Sequence, residues 1–298
     1  MNRLAEIEAF VAVVETGSFS AAAERQGIAV SALSRRIDEL EARLGVQLTQ
    51  RSTRGVRTSE RGQIYYSHCL RILSDLHEAD SEVAGEDGPI KGLIRIACPP
   101  AFGLRYLSPL ANSFAKDNPE VQFDIEMSDR PVDLIEGGFD FAIRLGRSED
   151  PTLAAEPLFS VHYVVAASPL FWDAHGRPGT PEDLTGFPAL VYRVGLDPAQ
   201  WRFTRPNGQA VDVRLSPRIV ANNGTVLVDA AKEGLGVCLE PEFVCHDAIQ
   251  DGTLETVLKD HRSYGRNAEI VRPAARPLSQ RAEDFANTLR DVFAAPAV

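Results

Sequence analysis

Apolar residues recur at helical spacing through the N-terminal part of the chain. The first set lies three or four positions apart and is followed by Thr16-Gly17; its members are Leu4, Ile7, Phe10, Val11 and Val14. That spacing predicts a helix with one apolar face, which ends at the glycine. Ser20 can cap a second, shorter helix, and Gly27 suits the left-handed position that ends it. Two helices would then meet across a tight turn.

A third helix is predicted from about residue 30 to 44, and Gly45 ends it. Its inward positions are again three and four apart; they are Val30, Leu33, Ile37, Leu40 and Leu44. Polar side chains fall on the remaining surface, among them Ser31, Ser34 and Arg35. The predicted helix is therefore amphipathic, and its polar face includes its N-terminal end.

A longer helix is predicted from residue 63 to 84. Its apolar positions alternate in steps of four and three, as a two-stranded coiled coil requires; they are Tyr65, Cys69, Ile72, Leu76, Ala79 and Val83. The acidic residues fall mainly outside this seam. Because a monomer would leave the apolar seam exposed, we expect the helix to pair with a second copy of the chain.

Glycine and proline interrupt the helical pattern after this long helix. Gly85, Gly88 and Pro89 mark the break, and strand-like and helical patterns alternate from Leu93 onward. Such alternation predicts a parallel α/β sheet, with one short helix after Pro131.

A second α/β lobe is predicted further along the chain. An Asn207-Gly208 turn between two strand patterns is typical of a hairpin, and residues 224–232 are predicted as a helix. The tail returns with a strand at 269–271 and a final amphipathic helix. No internal repeat interrupts this order.

The negative charge of the chain is unevenly distributed. With 31 Lys and Arg against 42 Asp and Glu, the net charge of −11 by itself argues against a nucleic-acid partner. Residues 1–62, however, hold nine Arg, no Lys and eight acidic residues, a net charge of +1, so −12 falls on the rest. Four of these arginines lie within the run RSTRGVRTSER at 51–61. A local basic hairpin fits this run better than a helix face.

Several classes of protein find no support in the sequence. No stretch approaches the roughly 20 apolar residues of a membrane span, and the N-terminus does not resemble a signal peptide, so we expect a cytoplasmic protein without a membrane partner. The four cysteines lack CxxC or Cys/His spacing, so neither a metal nor another cofactor is expected. No Gly-rich phosphate loop, GxSxG elbow, HExxH motif or convergent acid pair is present, so we expect no catalytic residues and no enzyme.

A set of residues in the N-terminal part has an order and spacing that resemble a known motif. They are Leu4, Phe10, Thr16-Gly17-Ser18-Phe19-Ser20-Ala21-Ala22, Ser31-Ala32-Leu33-Ser34-Arg35, Leu40-Glu41, Leu44-Gly45, Leu48 and Arg51. In that order and spacing they resemble the DNA-binding signature of LysR-type transcriptional regulators. The likeness continues through Asp129-Arg130-Pro131-Val132-Asp133-Leu134 and residues 138–146. Three departures occur: Ala29-Val30 replaces a polar pair, Thr49 a usual Phe, and Thr58-Ser59 a Leu-Thr pair.

This resemblance implies a fold class and a domain organisation. Residues 1–62 would form an all-α winged helix-turn-helix domain, and 63–88 a linker and dimerisation helix with a hinge. Residues 89–298 would form an α/β effector-binding domain of two lobes, similar to periplasmic binding proteins. Lobe I would take approximately 89–162 and 266–298, and lobe II approximately 163–265. The implied function is effector-responsive transcription regulation by homodimers that pair again into homotetramers.

The DNA contacts are predicted from the recognition helix and the wing. A helix in the major groove needs short polar groups and arginine near its N-terminus, where base edges are within reach. The helix residues predicted to contact DNA are Val30, with a thymine methyl group, and Ser31, Ser34, Arg35 and Arg36. On the wing, Arg51, Arg54 and Arg57 are predicted to contact phosphates. A dimer of such modules would bind double-stranded DNA at an inverted repeat.

A small-molecule effector of unknown identity is expected between the lobes, at positions that match the family's cleft. The predicted residues are Pro100, Ala101, Phe102, Ser128, Arg144, Leu145, Gly146, Asn222, Asn223, Gly224 and Thr225. Two of these segments, Ala101-Phe102 and Asn223-Gly224, precede helices, whose backbone N–H groups could receive an anionic ligand group.

Two alternative functions stay open. A thiol-based redox regulator is favoured by Cys238 and Cys245, which lie seven positions apart, although Cys238 falls in an apolar run that predicts a buried strand. A free-standing solute-binding protein would explain the two lobes, but it predicts a signal peptide and no winged helix.

Overall fold

The computed structural model describes residues 2–52, 55–84, 89–148, 150–193, 200–263 and 265–294. The chain divides into two compact units. The first is built on residues 1–94 with the short segments 118–122 and 279–281, and the second comprises the remainder. None of the helices in the described ranges combines the length and apolar character that crossing a bilayer demands.

Three helices and a two-stranded hairpin form the N-terminal module. The elements are α1 (Arg3–Thr16), α2 (Phe19–Gln26), α3 (Val30–Leu44), β1 (Thr49–Ser52) and β2 (Gly55–Thr58). Each helix ends at the predicted glycine, and all three glycines adopt the left-handed conformation that side chains disfavour. The helices enclose a core of fully buried side chains, including Phe10, Leu33, Ile37 and Leu40. The predicted positions of all three helices are confirmed.

Two expectations about individual residues at the N-terminal ends of these helices are wrong. Val30 is 45% exposed rather than inward, because α3 begins at this residue and its first turn reaches beyond the core. Ser18, and not Ser20, caps α2 by accepting a hydrogen bond from the Ala21 N–H, so the helix begins at Phe19.

Helix α4 (Glu60–Ala84) packs closely against the base of the wing. The Ser59 hydroxyl accepts a hydrogen bond from the Gly62 N–H at 3.0 Å and donates one to the Gln47 carbonyl at 2.7 Å. A Cβ added at Gly62 would lie 2.0 Å from the Leu48 carbonyl oxygen. Only glycine therefore fits at this crossing.

The first half of the predicted seam on α4 is covered by the chain itself. Cys69 is fully buried in the core of the N-terminal module, and Tyr65 packs against the same core. Ile72 and Leu76 remain 43% and 40% exposed, and the side chain of Val83 lies outside the described residues. The spacing of four and three residues is the same whether an apolar residue packs against its own chain or against a partner chain. The expectation of one continuous intermolecular seam is therefore wrong for its N-terminal half.

Two five-stranded sheets follow the linker helix, one in each lobe. Lobe I contains β3 (Lys91–Cys98), β4 (Glu120–Met127), β5 (Phe141–Leu145), β6 (Leu153–Val161) and β15 (Arg266–Pro273), in the order β4-β3-β5-β15-β6. Lobe II contains β7 (Tyr163–Ala167), β8 (Pro188–Tyr192), β11 (Ser216–Ala221), β12 (Val237–Pro241) and β13 (Glu255–Val257), in the order β11-β8-β12-β7-β13. A smaller sheet of β9 (Gln200–Thr204), β10 (Ala210–Arg214) and β14 (Arg262–Ser263) contains the predicted hairpin.

The two large sheets are mixed, which corrects the prediction of a parallel sheet. Strand β15 runs antiparallel to both β5 and β6, and β7 runs antiparallel to β12 and β13. The chain leaves lobe I through β6 and returns to it through β15, so the returning strand points the opposite way. The alternation of strands and helices along the sequence does not show that the chain returns to lobe I in this direction.

Helices cover the sheets of both lobes. They are α5 (Pro100–Phe102) and α6 (Ser108–Asp117), joined by a π-helical turn at Gly103–Leu107, then α7 (Pro169–His175), α8 (Gly224–Lys232), α9 (Glu242–Gln250) and α10 (Gln280–Ala294). The helix expected after Pro131 is replaced by consecutive turns at 134–138. Asp133 begins a single turn, because its carboxylate accepts hydrogen bonds from the backbone N–H groups of Ile135 and Glu136, and Gly138 ends that turn in the left-handed conformation.

Candidate DNA-binding and effector-binding sites

The predicted base-reading residues lie on one polar face of α3. Val30, Ser31 and Arg35 are exposed, whereas Ser34 and Arg36 are half-buried. All five occupy the first two turns, where a helix placed in the major groove brings its side chains to base edges.

Arg35 and Arg36 differ in what holds them. The Arg35 side chain is 81% exposed, and its Nε lies 2.8 Å from Oε1 of Glu39, one turn further on. Such a surface ion pair contributes about 0 to 1 kcal/mol, so it opposes the release of Arg35 only weakly. Arg36 instead donates from Nη1 to Oε1 of Gln26 on α2 at 3.5 Å. Of these two arginines, Arg35 is therefore the more readily available for contact with DNA.

Helix α3 starts without a side-chain cap. Ala29 precedes the helix with extended backbone, and its methyl group cannot accept a hydrogen bond from the first turn. The helices before it are capped by Asn2 and Ser18. The departure from the family pattern at Ala29 thus removes a contact that typically contributes about 1 kcal/mol.

The structure places one of the three wing arginines completely. Arg57 is exposed on β2, opposite Gln50. Arg51 lies on β1 opposite Val56, but its side chain falls outside the described residues, as does all of Arg54. Arg57 is therefore the wing residue whose predicted phosphate contact has a described position.

Glu41 of α3 attaches the wing to the recognition helix. Its Oε1 accepts hydrogen bonds from the Leu48 N–H and the Thr49 N–H, both at 2.8 Å, and from the Thr49 hydroxyl at 3.0 Å. On the other side of the hairpin, the Val56 N–H donates to the Gly17 carbonyl at 2.9 Å. Hydrogen bonds to an ionised carboxylate are roughly twice as strong as neutral ones. Helix and wing are thus held in a fixed relation.

A cleft of about 1120 Å³ lies between lobe I and lobe II. It is larger than the roughly 300 to 1,000 Å³ of most ligand pockets. The predicted effector residues that line it are Ala101, Ser128, Arg144, Leu145, Gly146, Asn223 and Gly224. They lie at or just after the carboxyl ends of β3, β4, β5 and β11, where open α/β sheets bind their ligands.

Four predicted effector residues do not line the cleft. Phe102 is fully buried, because the helical segment after β3 turns its ring toward the interior of lobe I. Thr225 is exposed and lines a shallower groove, and Pro100 and Asn222 line neither the cleft nor that groove. The rings that contact Phe102 are those of Tyr106, Phe159 and Phe293.

The N-terminus of α8 is already occupied by groups of the protein itself. Oδ1 of Asn223 accepts the Thr225 N–H at 2.9 Å. Oε2 of Glu240 lies against Gly224, where an added Cβ would be 2.5 Å away. An acidic side chain at this end of a helix is favoured by the helix dipole. Glu240 therefore stands at the place that sequence reasoning assigned to an anionic ligand group.

Sequence reasoning missed a cluster of two acids and a tyrosine in the cleft wall. It consists of Glu240 on β12, Asp129 after β4, and Tyr192 at the end of β8. Burial, and then the charge of Asp129, raise the pKa of Glu240 from 4.5 to about 8. Partial burial of its carboxyl group also raises the pKa of Asp129, against the lowering effect of the Tyr192 hydroxyl. The signal for Glu240 was its single charge in an otherwise apolar strand, since buried acids are rare.

The described lining of the cleft carries more positive than negative side chains. Arg144 is fixed at the end of β5, where its Nη2 donates to the Val132 carbonyl at 3.2 Å. The arginines are Arg130, Arg144, Arg147, Arg193 and Arg266, and the acids are Asp129, Asp150 and Glu240. Acidic and basic groups therefore occur in the same site.

The two cysteines of lobe II lie together in its interior. Cys238 of β12 and Cys245 of α9 are both fully buried. Hydrogen bonding to Cys245, together with burial, raises the pKa of Cys238 well above its ordinary value. Within the described ranges, no three His, Cys, Asp or Glu side chains converge in a way that would hold a metal ion.

A helix-turn-helix module with a wing, followed by two α/β lobes around a cleft, defines a DNA-binding regulator that carries a ligand-binding domain. Residues 4–63 match the family model described as bacterial regulatory helix-turn-helix protein, lysR family, and residues 87–294 match the LysR substrate binding domain. The chain therefore belongs to the LysR family and is a LysR-type transcriptional regulator.

Known proteins are similar to the chain over nearly its full length. An uncharacterized HTH-type transcriptional regulator of Haemophilus influenzae is 33% identical over 93% of this chain and 96% of that protein. The solved structure of CrgA, a LysR-type regulator of Neisseria meningitidis, has a TM-score of 0.63 and 29% identity over 97% of this chain and 98% of that one. The Vibrio cholerae virulence activator AphB has a TM-score of 0.61 and 27% identity over 97% and 98%. These relatives are transcriptional regulators rather than enzymes.

Proposed function

We propose that a small-molecule effector binds in the cleft between the lobes and thereby changes how the N-terminal modules of an oligomer bind duplex DNA. The observation that carries this proposal is the cleft itself, which strand-end residues of both lobes line. A ligand that contacts both lobes binds one lobe arrangement better than another, and so shifts the population toward it. Ligand binding is then coupled to DNA binding by the difference in the ligand's affinity for the two lobe arrangements.

On the DNA side, α3 reads bases and the wing binds phosphates. Arg35 and the short polar Ser31 and Ser34 reach base edges, and the exposed Val30 contacts a thymine methyl group, with Arg36 at the flank. Arg57 contacts a phosphate, together with Arg51 and Arg54. The exposure of Arg35 and Arg57 supports this division, since both charges lie at the protein surface.

The oligomer forms first through the linker helix. Ile72 and Leu76 lie one turn apart on α4 and are both substantially exposed, which leaves an apolar stripe for a second copy. Such dimers would bind an inverted repeat and would pair again as tetramers.

The proposal is tested by measuring ligand and DNA binding on the same protein. An operator is first selected from a random duplex pool with the purified full chain. Small carboxylates and aromatic acids are then screened by the fluorescence of Trp201, one of two tryptophans in the chain, which lines the cleft. We expect at least one compound to change both the fluorescence and the operator affinity. Cleft ligands that leave operator affinity unchanged would contradict the proposal.

A thiol-based response is the second candidate function, and the adjacency of Cys238 and Cys245 favours it. Two neighbouring thiols can close to a disulfide when a hydroperoxide accepts their two electrons and two protons, yielding an alcohol and water. The thiolate is the reactive form, however, and the raised pKa of Cys238 suppresses it. We therefore rank this response below effector binding.

A further inference from the structure

Glu240 is a buried acid in the cleft wall, and one of its two carboxyl oxygens lacks a partner. Its side chain is 2% exposed, and every residue of β12 is buried. Within the described part of the chain, Oε1 of Glu240 has no hydrogen-bond partner. A buried carboxyl oxygen without a partner is costly to a folded protein. Such a group points to a ligand that supplies the missing donor.

A second carboxyl lies close enough to Glu240 to add to that cost. Asp129 of lobe I lines the same cleft, and its charge raises the pKa of Glu240 of lobe II, so ionised Asp129 opposes the ionisation of Glu240. Tyr192 interacts with Asp129 from lobe II, and the pKa of this tyrosine is raised, first by burial and then by Asp129. Two acids near each other across a cleft are stabilised together by one cation between them.

The cleft as a whole does not suit a simple cation. Arg144 at the end of β5 and Arg147 just after it lie on the lobe I side, and a Cβ added at Gly146 between them would be 3.5 Å from Cδ of Arg266. Arginine groups of this kind bind carboxylates through paired hydrogen bonds. An anion alone would leave Glu240 without a partner, and a cation alone would face these arginines.

We propose that the effector is a zwitterion of the amino acid type, whose ammonium group binds between Glu240 and Asp129 while its carboxylate binds at Arg144 and Arg147. This inference rests on the proposed function, because it names the chemical class of the ligand in the same cleft. It also gives the ligand a contact with each lobe. Free amino acids, ω-amino acids and dipeptides share this chemistry.

The experiment compares matched probes on the full-length wild-type chain. The panel contains the proteinogenic amino acids, 5-aminopentanoate, selected dipeptides, and two matched compounds that lack one charge, pentanoate and pentylamine. Binding is followed by Trp201 fluorescence and by titration calorimetry. We expect at least one zwitterion to bind, and its deaminated or decarboxylated counterpart to bind at least tenfold more weakly. The group of compounds that binds most tightly identifies the effector as a free amino acid, an ω-amino acid or a dipeptide.

Variants then assign the ammonium group to its site. Glu240→Gln and Asp129→Asn should each weaken the best zwitterion at least tenfold, whereas Glu242→Gln, an exposed acid two positions from Glu240, should leave its affinity unchanged. Asp129 is exposed, so its variant keeps the test decisive if the Glu240 variant fails to fold. Two results would overturn the inference: no zwitterion of the panel binds, or the tightest ligand lacks an amino group and binds Glu240→Gln as tightly as wild type. The latter result leaves the proposed function intact. The proposed function fails separately if zwitterions bind through Glu240 without altering operator affinity.

Discussion

Replacing Glu240 with glutamine should change how the stability of lobe II depends on pH. The folded protein holds the proton of Glu240 up to pH about 8, whereas an ordinary carboxyl releases it near 4.5. Between these values the native state binds more protons than the unfolded state, so the free energy of unfolding of the wild type falls as pH rises. One pKa unit corresponds to about 1.4 kcal/mol, so the shift from 4.5 to about 8 gives a loss on the order of 5 kcal/mol by pH 9. Glutamine fills the same space, has no proton to lose and avoids this loss.

Both tryptophans of the chain lie in lobe II, so intrinsic fluorescence reports the unfolding of this lobe. Trp172 is fully buried, and Trp201 is 4% exposed. Thermal melts at pH 5 and pH 9 should show similar melting temperatures for wild type and Glu240→Gln at pH 5. At pH 9 the variant should melt higher by roughly 10 to 20 °C, because each kcal/mol shifts the midpoint by roughly 2 to 4 °C. The exposed Glu242→Gln serves as the control. Parallel pH profiles of wild type and Glu240→Gln would refute the burial argument.

Three further predictions address the oligomer, the wing and the thiols. Leu76→Glu should shift the protein toward monomers in light scattering, whereas Leu170→Glu, at an 80% exposed leucine of α7, should not; an unchanged mass of the first variant would exclude α4 as the dimer contact. Glu41→Ala removes the acceptor of three hydrogen bonds and should destabilise the N-terminal module by about 2 to 3 kcal/mol in circular-dichroism melts. The control, Glu15→Ala, removes one member of a surface ion pair and should cost at most about 1 kcal/mol. Equal losses of stability in the two variants would contradict the anchoring role of Glu41. The double variant Cys238→Ser, Cys245→Ser should bind its operator with the same response to peroxide as the parent, and a disulfide that alters operator binding in the parent would favour the thiol mechanism.

Local signals in the sequence predict individual elements well. Helix α3 begins and ends where the 3/4 spacing and Gly45 place it, and α8 matches its predicted bounds. The Asn207-Gly208 hairpin and the buried strand around Cys238 are also confirmed. These features depend on residues a few positions apart, so a single segment contains all the information.

Features that depend on contacts between residues far apart in the sequence could not be predicted from such local signals. The steps of four and three on α4 identify an apolar stripe, but they do not tell that Cys69 meets its own core while Leu76 stays exposed. Strand β15 pairs with β5 and β6 only because the chain returns from lobe II. Likewise, Asp129 and Glu240 come from different lobes, and only the folded chain brings them into electrostatic contact.

Transcription regulation by this protein requires sequence-specific DNA binding by α3 and the wing. The most direct measurement titrates wild type, Arg35→Ala and Arg57→Ala against a selected operator and a random duplex at several salt concentrations. Arg57→Ala should weaken both duplexes alike and lower the salt slope by roughly one unit. Arg35→Ala should mainly reduce the preference for the operator, by about 1 to 3 kcal/mol. Equal weakening of both duplexes by Arg35→Ala would contradict the base-reading role, and a wild-type chain that binds neither duplex at low salt, with or without cleft ligands, would contradict the central claim.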